Sequence, residues 1–340
     1  MMNHTQETKG HVTRFGAQRT IKTVPKPLVT ALALLAALIT TSFITVITTL
    51  PLSTAAHADF QAGMEAYEKG NHETAFKEWE PLAKAGDAEA QGYLGLLYYA
   101  GRGVQQNLDE AVKWFLLAGH QGHVLSQWSL GKLYMDGSID PPDMAVSFQW
   151  FKRAAEQGDA ASQVQIGLAY RFGEGVEKNL SKAAFWFRKA AEAGNTEAQV
   201  ELGRALSYGD GVEKNWEESA YWNRLAAKAE HPIGQYNLGH IYYTGEGEKR
   251  DHKMAAHWFQ KSAEQGYGYA QTMLALLYYQ GHGVDRNDSK ALMWALLGHQ
   301  NSDKTIKGLI DGLKRRMSTA KIESAKAKAM KCAQSGYVSC

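Results

Sequence analysis

Glycine-rich turns are the first residues in this chain whose spacing could support chemistry. Gly173-Glu174-Gly175-Val176 has the Gly-x-Gly form that cradles phosphate when it joins a strand to a helix opening with Lys-Ser/Thr. No strand pattern precedes it and no such helix start comes after it. The same loop also returns at intervals along the chain, as a structural turn would. Histidines pair at His120 and His123, three apart, and at His252 and His257, five apart. A zinc site needs three or four ligands, and neither pair has a third at usable spacing, so both read as surface histidines. No His-Glu-x-x-His run and no Gly-x-Ser-x-Gly elbow occurs. The carboxylates are scattered along solvated faces, with no acid and base set apart as a pair. No catalytic constellation, no cofactor and no metal site is expected.

Cys332 and Cys340 are the only cysteines. In an oxidising compartment they would close a small disulfide ring at the C-terminus; otherwise they are two free thiols in a frayed tail. Zinc needs more ligands than these two can supply. Around them the tail is basic: residues 301–340 hold nine Lys/Arg, including Lys314-Arg315-Arg316, Lys321, Lys326, Lys328 and Lys331, against three acids. It reads as a solvated helix face beside an acidic body, or as a contact for anionic lipid or an acidic partner. Residues 59–300 carry 23 basic and 31 acidic residues, and a net charge of +2 for the whole chain argues against a strongly basic nucleic-acid binder.

The first 58 residues have a different composition. Five basic residues end at Lys26, Leu28 to Leu50 come next without a charge, and Ala56-His57-Ala58 has the small-x-small form of a cleavage site. This pattern predicts a signal peptide over 1–58, cut after Ala58. The apolar run is also long enough to span a bilayer, so an uncleaved anchor is the alternative. In both cases the body is exported and is expected to be periplasmic or secreted.

The architecture follows from a repeat. Trp114, Trp150, Trp186, Trp222, Trp258 and Trp294 are each 36 residues from the next. With Asp87 as position 1, position 5 is Gln in all six units, position 9 is Gly in five and Ala275 in the sixth, and position 15 is always Gly. Apolar residues at positions 4, 8, 9 and 12, and again at 25, 28, 29, 32 and 33, have helical spacing on either side of the Gly-x-Gly turn. Each unit is therefore an antiparallel helix pair, with the Trp at 28 expected to fill the space beside the small residues. A fixed period of this size means a solenoid, in which stacked pairs share one core. Two units depart from the pattern. The second has Gly137-Ser138-Ile139-Asp140-Pro141-Pro142 in its turn. The fourth has Asn223 for the usual aromatic and Glu230-His231-Pro232 for its closing Gly, which suggests a bend at that junction.

The combined pattern, AxxxLGxxYxxGxGV followed by A, W(F/Y)xxAA and a closing G, resembles the Sel-one-like repeat, a relative of the tetratricopeptide repeat. The resemblance implies an all-α fold: a right-handed α/α solenoid of tetratricopeptide-like helix pairs. It implies an N-terminal half-length helix pair at 59–86, six repeats over 87–300, and C-terminal capping helices with the cysteine-containing tail over 301–340. Its functional implication is a non-enzymatic scaffold or adaptor for other proteins. The competing class is a cell-envelope hydrolase acting on wall material or β-lactams, or a membrane-anchored regulator if the N-terminal segment is retained.

In tetratricopeptide-like superhelices the first helix of each pair lines the concave face. Carried over, positions 3, 6, 10, 13 and 14 give a groove containing Trp128, Lys132, Arg171, Phe172, Arg204, Tyr208, Tyr236, His240 and Tyr243, with Val164 and Val200 also at position 6. Aromatic and basic side chains together suit an extended protein or peptide partner with an acidic or C-terminal carboxylate motif. No nucleic acid is expected as partner, and no integral membrane association once the signal is cleaved.

Overall fold

The computed structural model describes residues 52–139, 141–301, 304–337 and Cys340. Most of the predicted signal peptide lies outside them. Contacts divide the chain into two units between Ala55 and Ala56, and all of the repeats lie in the second. Among the described residues there are sixteen α-helices and no strand, and no helix is long and apolar enough to cross a membrane. Helix α1 is Leu52–Glu68, so it runs through Ala58, and α2 is His72–Lys84. Six pairs come next: α3 Ala88–Ala100 with α4 Leu108–His120; α5 Val124–Met135 with α6 Met144–Glu156; α7 Ala160–Phe172 with α8 Leu180–Glu192; α9 Thr196–Tyr208 with α10 Trp216–Lys228; α11 Pro232–Thr244 with α12 His252–Ala263; and α13 Gly268–Gln280 with α14 Asp288–Asn301. From α3 to α13 each helix packs on the one before and the one after it. Helices α15, Lys307–Arg316, and α16, Thr319–Gln334, close the array against α14.

Capping residues at fixed positions set the helix starts. Asp87, Asp159 and Asn195 at position 1 accept the N–H of Ala90, Ser162 and Ala198 at 2.7–2.9 Å. Asn107, Asn179, Asn215 and Asn287 at position 21 do the same for the second helices, at 2.9–3.1 Å. Each such bond satisfies an N–H that has no partner within its helix. At the junction of the fourth and fifth units, Glu230 adopts φ +61°, in the left-handed region of the closing glycines. Its N–H and that of His231 reach Ala227 and Ala226 as Gly194 and Asn195 reach Ala191 and Ala190. The turn is retained there at some strain, so the substitutions that suggested a bend leave the local geometry of the junction unchanged.

Trp114, Trp150, Trp222 and Trp294 at position 28 are buried as expected, but the contact with the glycine at position 9 is made by the aromatic at 29 where one is present. A Cβ on Gly95, Gly131 or Gly239 would stand 2.7 Å from the ring of Phe115, Phe151 or Phe259. The absent side chain at position 9 is thus what lets the aromatic at 29 lie flat on the first helix. In the sixth unit both positions are Ala, Ala275 and Ala295, and both are fully buried. In the fourth, Asn223 takes the ring's place. It bonds the Ser219 carbonyl at 2.9 Å and accepts from Asn237 at 2.8 Å. Trp186 and Trp258, expected in the core, are only half-buried, whereas Phe187 and Phe259 are no more than 1% exposed.

Position 5 links one unit to the next. Gln91, Gln127, Gln163 and Gln271 donate to the carbonyls of Ala83, Gly119, Ala155 and Ala263 in the preceding helix, at 2.9–3.1 Å. Gln121, Gln157, Gln265 and Asn301, at position 35, then donate to the side-chain oxygens of Gln91, Gln127, Gln235 and Gln271, each at 2.8 Å. Units three and four have Ala193 and Ala229 at position 35. There the ladder breaks, and Gln163 Oε1 is buried without a partner.

Candidate interaction groove

Three cavities lie along the first helices of units one to three. The largest, about 700 Å³, is framed by Glu89 and Tyr93 of α3, His123, Leu125 and Trp128 at the start of α5, and Asp159 and Ala161 at the start of α7. A second, about 150 Å³, shares Trp128 and adds Tyr99, Lys132 and Asp136. A third, about 260 Å³, continues past Met135 to Leu168 and Phe172. Helix α5 borders all three, through Trp128 in the first two and its last residue, Met135, in the third, so they follow one another as a strip. Tyr99 and Phe172 are 44% and 57% exposed, leaving apolar surface along it for a partner to cover.

The nine residues expected to form one groove fall into three environments. Trp128, Lys132 and Phe172 belong to the strip. The Lys132 ammonium sits 5.6 Å from the Trp128 ring centre and has no carboxylate partner among the described residues. Arg171 and Arg204, expected as further anion-binding cations, are already engaged. Both pair with Glu201, and Arg204 Nη1 also donates to Asp210 at 2.6 Å. The Arg171 guanidinium also lies over the Phe172 ring, at 4.8 Å. Arg171 thus ties unit three to unit four, Arg204 pairs within unit four, and neither is free to bind a ligand carboxylate. Tyr208 is 73% exposed beside them. Tyr236 packs against Phe259, Tyr267 and Tyr269, with ring centres 5.7, 5.3 and 6.5 Å away. Burial in this aromatic cluster pushes the Tyr267 phenol up to about 12. His240 lies at the cluster's edge, 6.4 Å from Tyr236, and Tyr243 packs on His252 at 5.3 Å.

Position 7 was missed in the sequence. Val164 and Val200, placed in the groove at position 6, are buried at 1% and 6% exposure, while Gln165 and Glu201 at position 7 are partly open. Positions 3, 7, 10 and 14 have the spacing of one helical stripe, and this regularity was the available signal. In units two and five the larger Trp128 and Tyr236 extend outward from position 6.

His123 is a second departure from expectation. Its side chain is buried rather than a surface group: Nε2 lies 3.2 Å from Glu89 Oε2 and Nδ1 lies 2.8 Å from Ser126 Oγ. The order Ser–His–Glu resembles the relay of a serine hydrolase, but Ser126 is 0% exposed, so no substrate can reach its hydroxyl. The group instead fixes the start of α5 against α3. A Cβ on Gly92 would collide with the His123 ring, so this glycine makes room for the arrangement. The cysteines pair with each other: Cys332 and Cys340 form a disulfide, with Cα atoms 4.8 Å apart. No group of three or more potential metal ligands occurs among the described residues.

The sequence pattern of the Sel1 repeat matches residues 88–123, 124–159, 160–195, 196–231, 232–267 and 268–298. Among solved structures, a Sel1 repeat protein from Oxalobacter formigenes is 28% identical, with a TM-score of 0.64, covering 72% of this chain and 98% of that one. The protective antigen c5321 of uropathogenic Escherichia coli, which displays an SLR fold, is 23% identical with a TM-score of 0.36, covering 83% and 85%. No curated protein matches the chain.

Proposed function

Because the chain belongs to the Sel1 repeat family, whose members are generally protein-interaction scaffolds, we propose that it is an exported scaffold. In this reading it binds an extended segment of a partner protein along the α3–α5–α7 strip. The observation that carries it is the continuity of three cavities along α5, bordered by exposed aromatic rings and one unpaired cation. Trp128, Tyr99, Met135 and Phe172 offer apolar contact area, and aromatic anchors of this kind dominate binding energy at interfaces. Lys132 supplies the charge-assisted bond for a carboxylate. Export rests on the composition of residues 1–58, and the Cys332–Cys340 disulfide is consistent with an oxidising compartment. The periplasm or the exterior is the proposed location.

Site-specific photo-crosslinking in cells tests this. A crosslinking amino acid at Tyr99 or Phe172 should yield an adduct with one partner, identified by mass spectrometry. The same group at Tyr221, on the outer helix α10, should not. Lys132→Glu should weaken the adduct, and raised salt should weaken it in the wild type. Adducts formed from Tyr221 alone would move the binding surface to the outer helices.

A further inference from the structure

A second site, independent of the strip, lies at the C-terminal cap. Helices α14 and α16 pack together, and between them is a cavity of about 290 Å³ bordered by Lys290, Lys328, Lys331, Tyr278, Trp294 and Cys340. Lys328 and Lys331 stand three apart on α16, one above the other on the same helix face. Lys290 approaches from α14, its ammonium 3.5 Å from the Tyr278 hydroxyl and 5.0 Å from the centre of that ring.

The charge balance of this cavity is unusual for the chain. Residues 59–300 have an excess of acids, and lysines elsewhere, such as Lys77, Lys84 and Lys113, pair with carboxylates. No carboxylate side chain lines this cavity. Among the described residues none of its three lysines forms an ion pair with a carboxylate side chain. Like charges gathered in one concavity repel unless an anion joins them. The floor is apolar, with Trp294 and Met293 no more than 4% exposed, and the disulfide from Cys340 to the fully buried Cys332 holds the remaining wall against α16. Lysines bind phosphate as point charges, and the volume lies near the lower end of the range for ligand pockets.

We infer that this cavity binds a phosphomonoester group, with Lys290, Lys328 and Lys331 as its counter-charge, Tyr278 as a hydroxyl donor and Trp294 beneath the organic portion. Two sources present that chemistry: a soluble phosphate ester and the headgroup of a phosphatidic-acid-type lipid. Both expose a terminal phosphate that carries more than one negative charge at neutral pH.

Calorimetric titration of the full chain with glycerol phosphate, and flotation with phosphatidylcholine vesicles with and without phosphatidic acid, tests the assignment. Lys328→Glu/Lys331→Glu should weaken binding at least tenfold. Lys314→Glu/Arg315→Glu, which reverses the same number of charges in the basic tail outside the cavity, should change it less than twofold, with unchanged helix content in both variants. Cavity-dependent binding of glycerol phosphate identifies a soluble ester as sufficient. Cavity-dependent binding of the vesicles alone identifies the lipid headgroup. Equal losses in the two charge-reversal variants would reduce the effect to general charge and overturn the site, as would the absence of binding in both arms.

Discussion

Gly167 and Phe187 permit a quantitative test of what holds each helix pair together. A methyl at Gly167 would lie 2.6 Å from Phe187 Cδ1, about 1 Å inside the ordinary carbon–carbon separation. Phe187 is 1% exposed, so the ring has no solvent-side space into which to retreat. Overpacking of this kind costs about 1–3 kcal/mol, and the better helix propensity of Ala returns up to about 1 kcal/mol. Gly167→Ala should therefore destabilise by up to about 2 kcal/mol. Phe187→Ala empties the same space and should cost about 3–5 kcal/mol. In the double variant the new methyl enters that space instead of striking a ring. Gly167→Ala should then stabilise by about 0.5–1 kcal/mol, giving a coupling of about 1–3 kcal/mol between the two sites. Unit six, with Ala275 and Ala295 at the same positions, shows that the double small arrangement packs. Urea unfolding of the four proteins, followed by far-UV circular dichroism, measures the cycle. A coupling below about 0.5 kcal/mol would show that the position 9 glycines serve something other than the ring at 29.

Other outcomes are expected from the same contacts. Ala193→Gln should place an amide within reach of the orphaned Gln163 Oε1 and raise stability by about 0.5–1.5 kcal/mol; an unchanged unfolding midpoint would mean that the ladder adds nothing at that junction. His231 caps α11 through Nδ1, which accepts from the Gly234 N–H at 3.4 Å. Desolvation holds its pKa below the usual 6.5, against an opposing pull from Glu197. Its neutral form is thus the folded one, so its contribution is present above pH 6.5 and is lost as pH falls through the lowered folded value. His231→Asn keeps a capping oxygen without titrating and should reduce the acid-side loss of Tm, whereas identical pH profiles would remove the cap from the account. Reducing the Cys332–Cys340 ring should release up to about 2–3 kcal/mol of chain restraint and speed amide exchange at the end of α16, leaving α3 to α10 unaffected. Faster exchange throughout would show that the cap is coupled to the whole array.

Much of the helix pairing was legible because the features that set it recur at fixed intervals. Gly101, Gly173 and Gly209 stop the first helices, and Asn107, Asn179 and Asn215 start the second ones. Side-chain partners were less legible, because they depend on which of two adjacent positions turns outward. The position 28 tryptophans attracted attention through their rarity, yet Phe115, Phe151, Phe187 and Phe259 fill the space over the glycines. Arg171 and Arg204 looked like free groove cations. Their partner Glu201 lies 30 residues from Arg171 but only three from Arg204, on the next unit's first helix, and only stacking reveals that both arginines share it. His123 looked like a surface residue until its ring was seen to occupy the space left by Gly92. The partition of the expected groove into an open strip, an ion-paired junction and a tyrosine cluster is likewise a property of the stack, which no single unit displays.

The glutamine ladder also bears on how such a chain changes length. Each unit brings both halves of its connections, a position 5 amide that reaches back to the preceding unit and a position 33 carbonyl that receives the amide of the next. A duplicated stretch of 36 residues therefore arrives with its interfaces already made, and copying a unit requires no new contacts. The ends are the exception, since they have no further neighbour to complete them. At one end the Trp79 indole donates to the Phe60 carbonyl at 3.2 Å; at the other, Asn301 stands where a further glutamine would be and bonds the Tyr337 hydroxyl at 2.8 Å. Lineages can thus add or lose interior units freely, while the two termini remain the parts whose sequences must be kept.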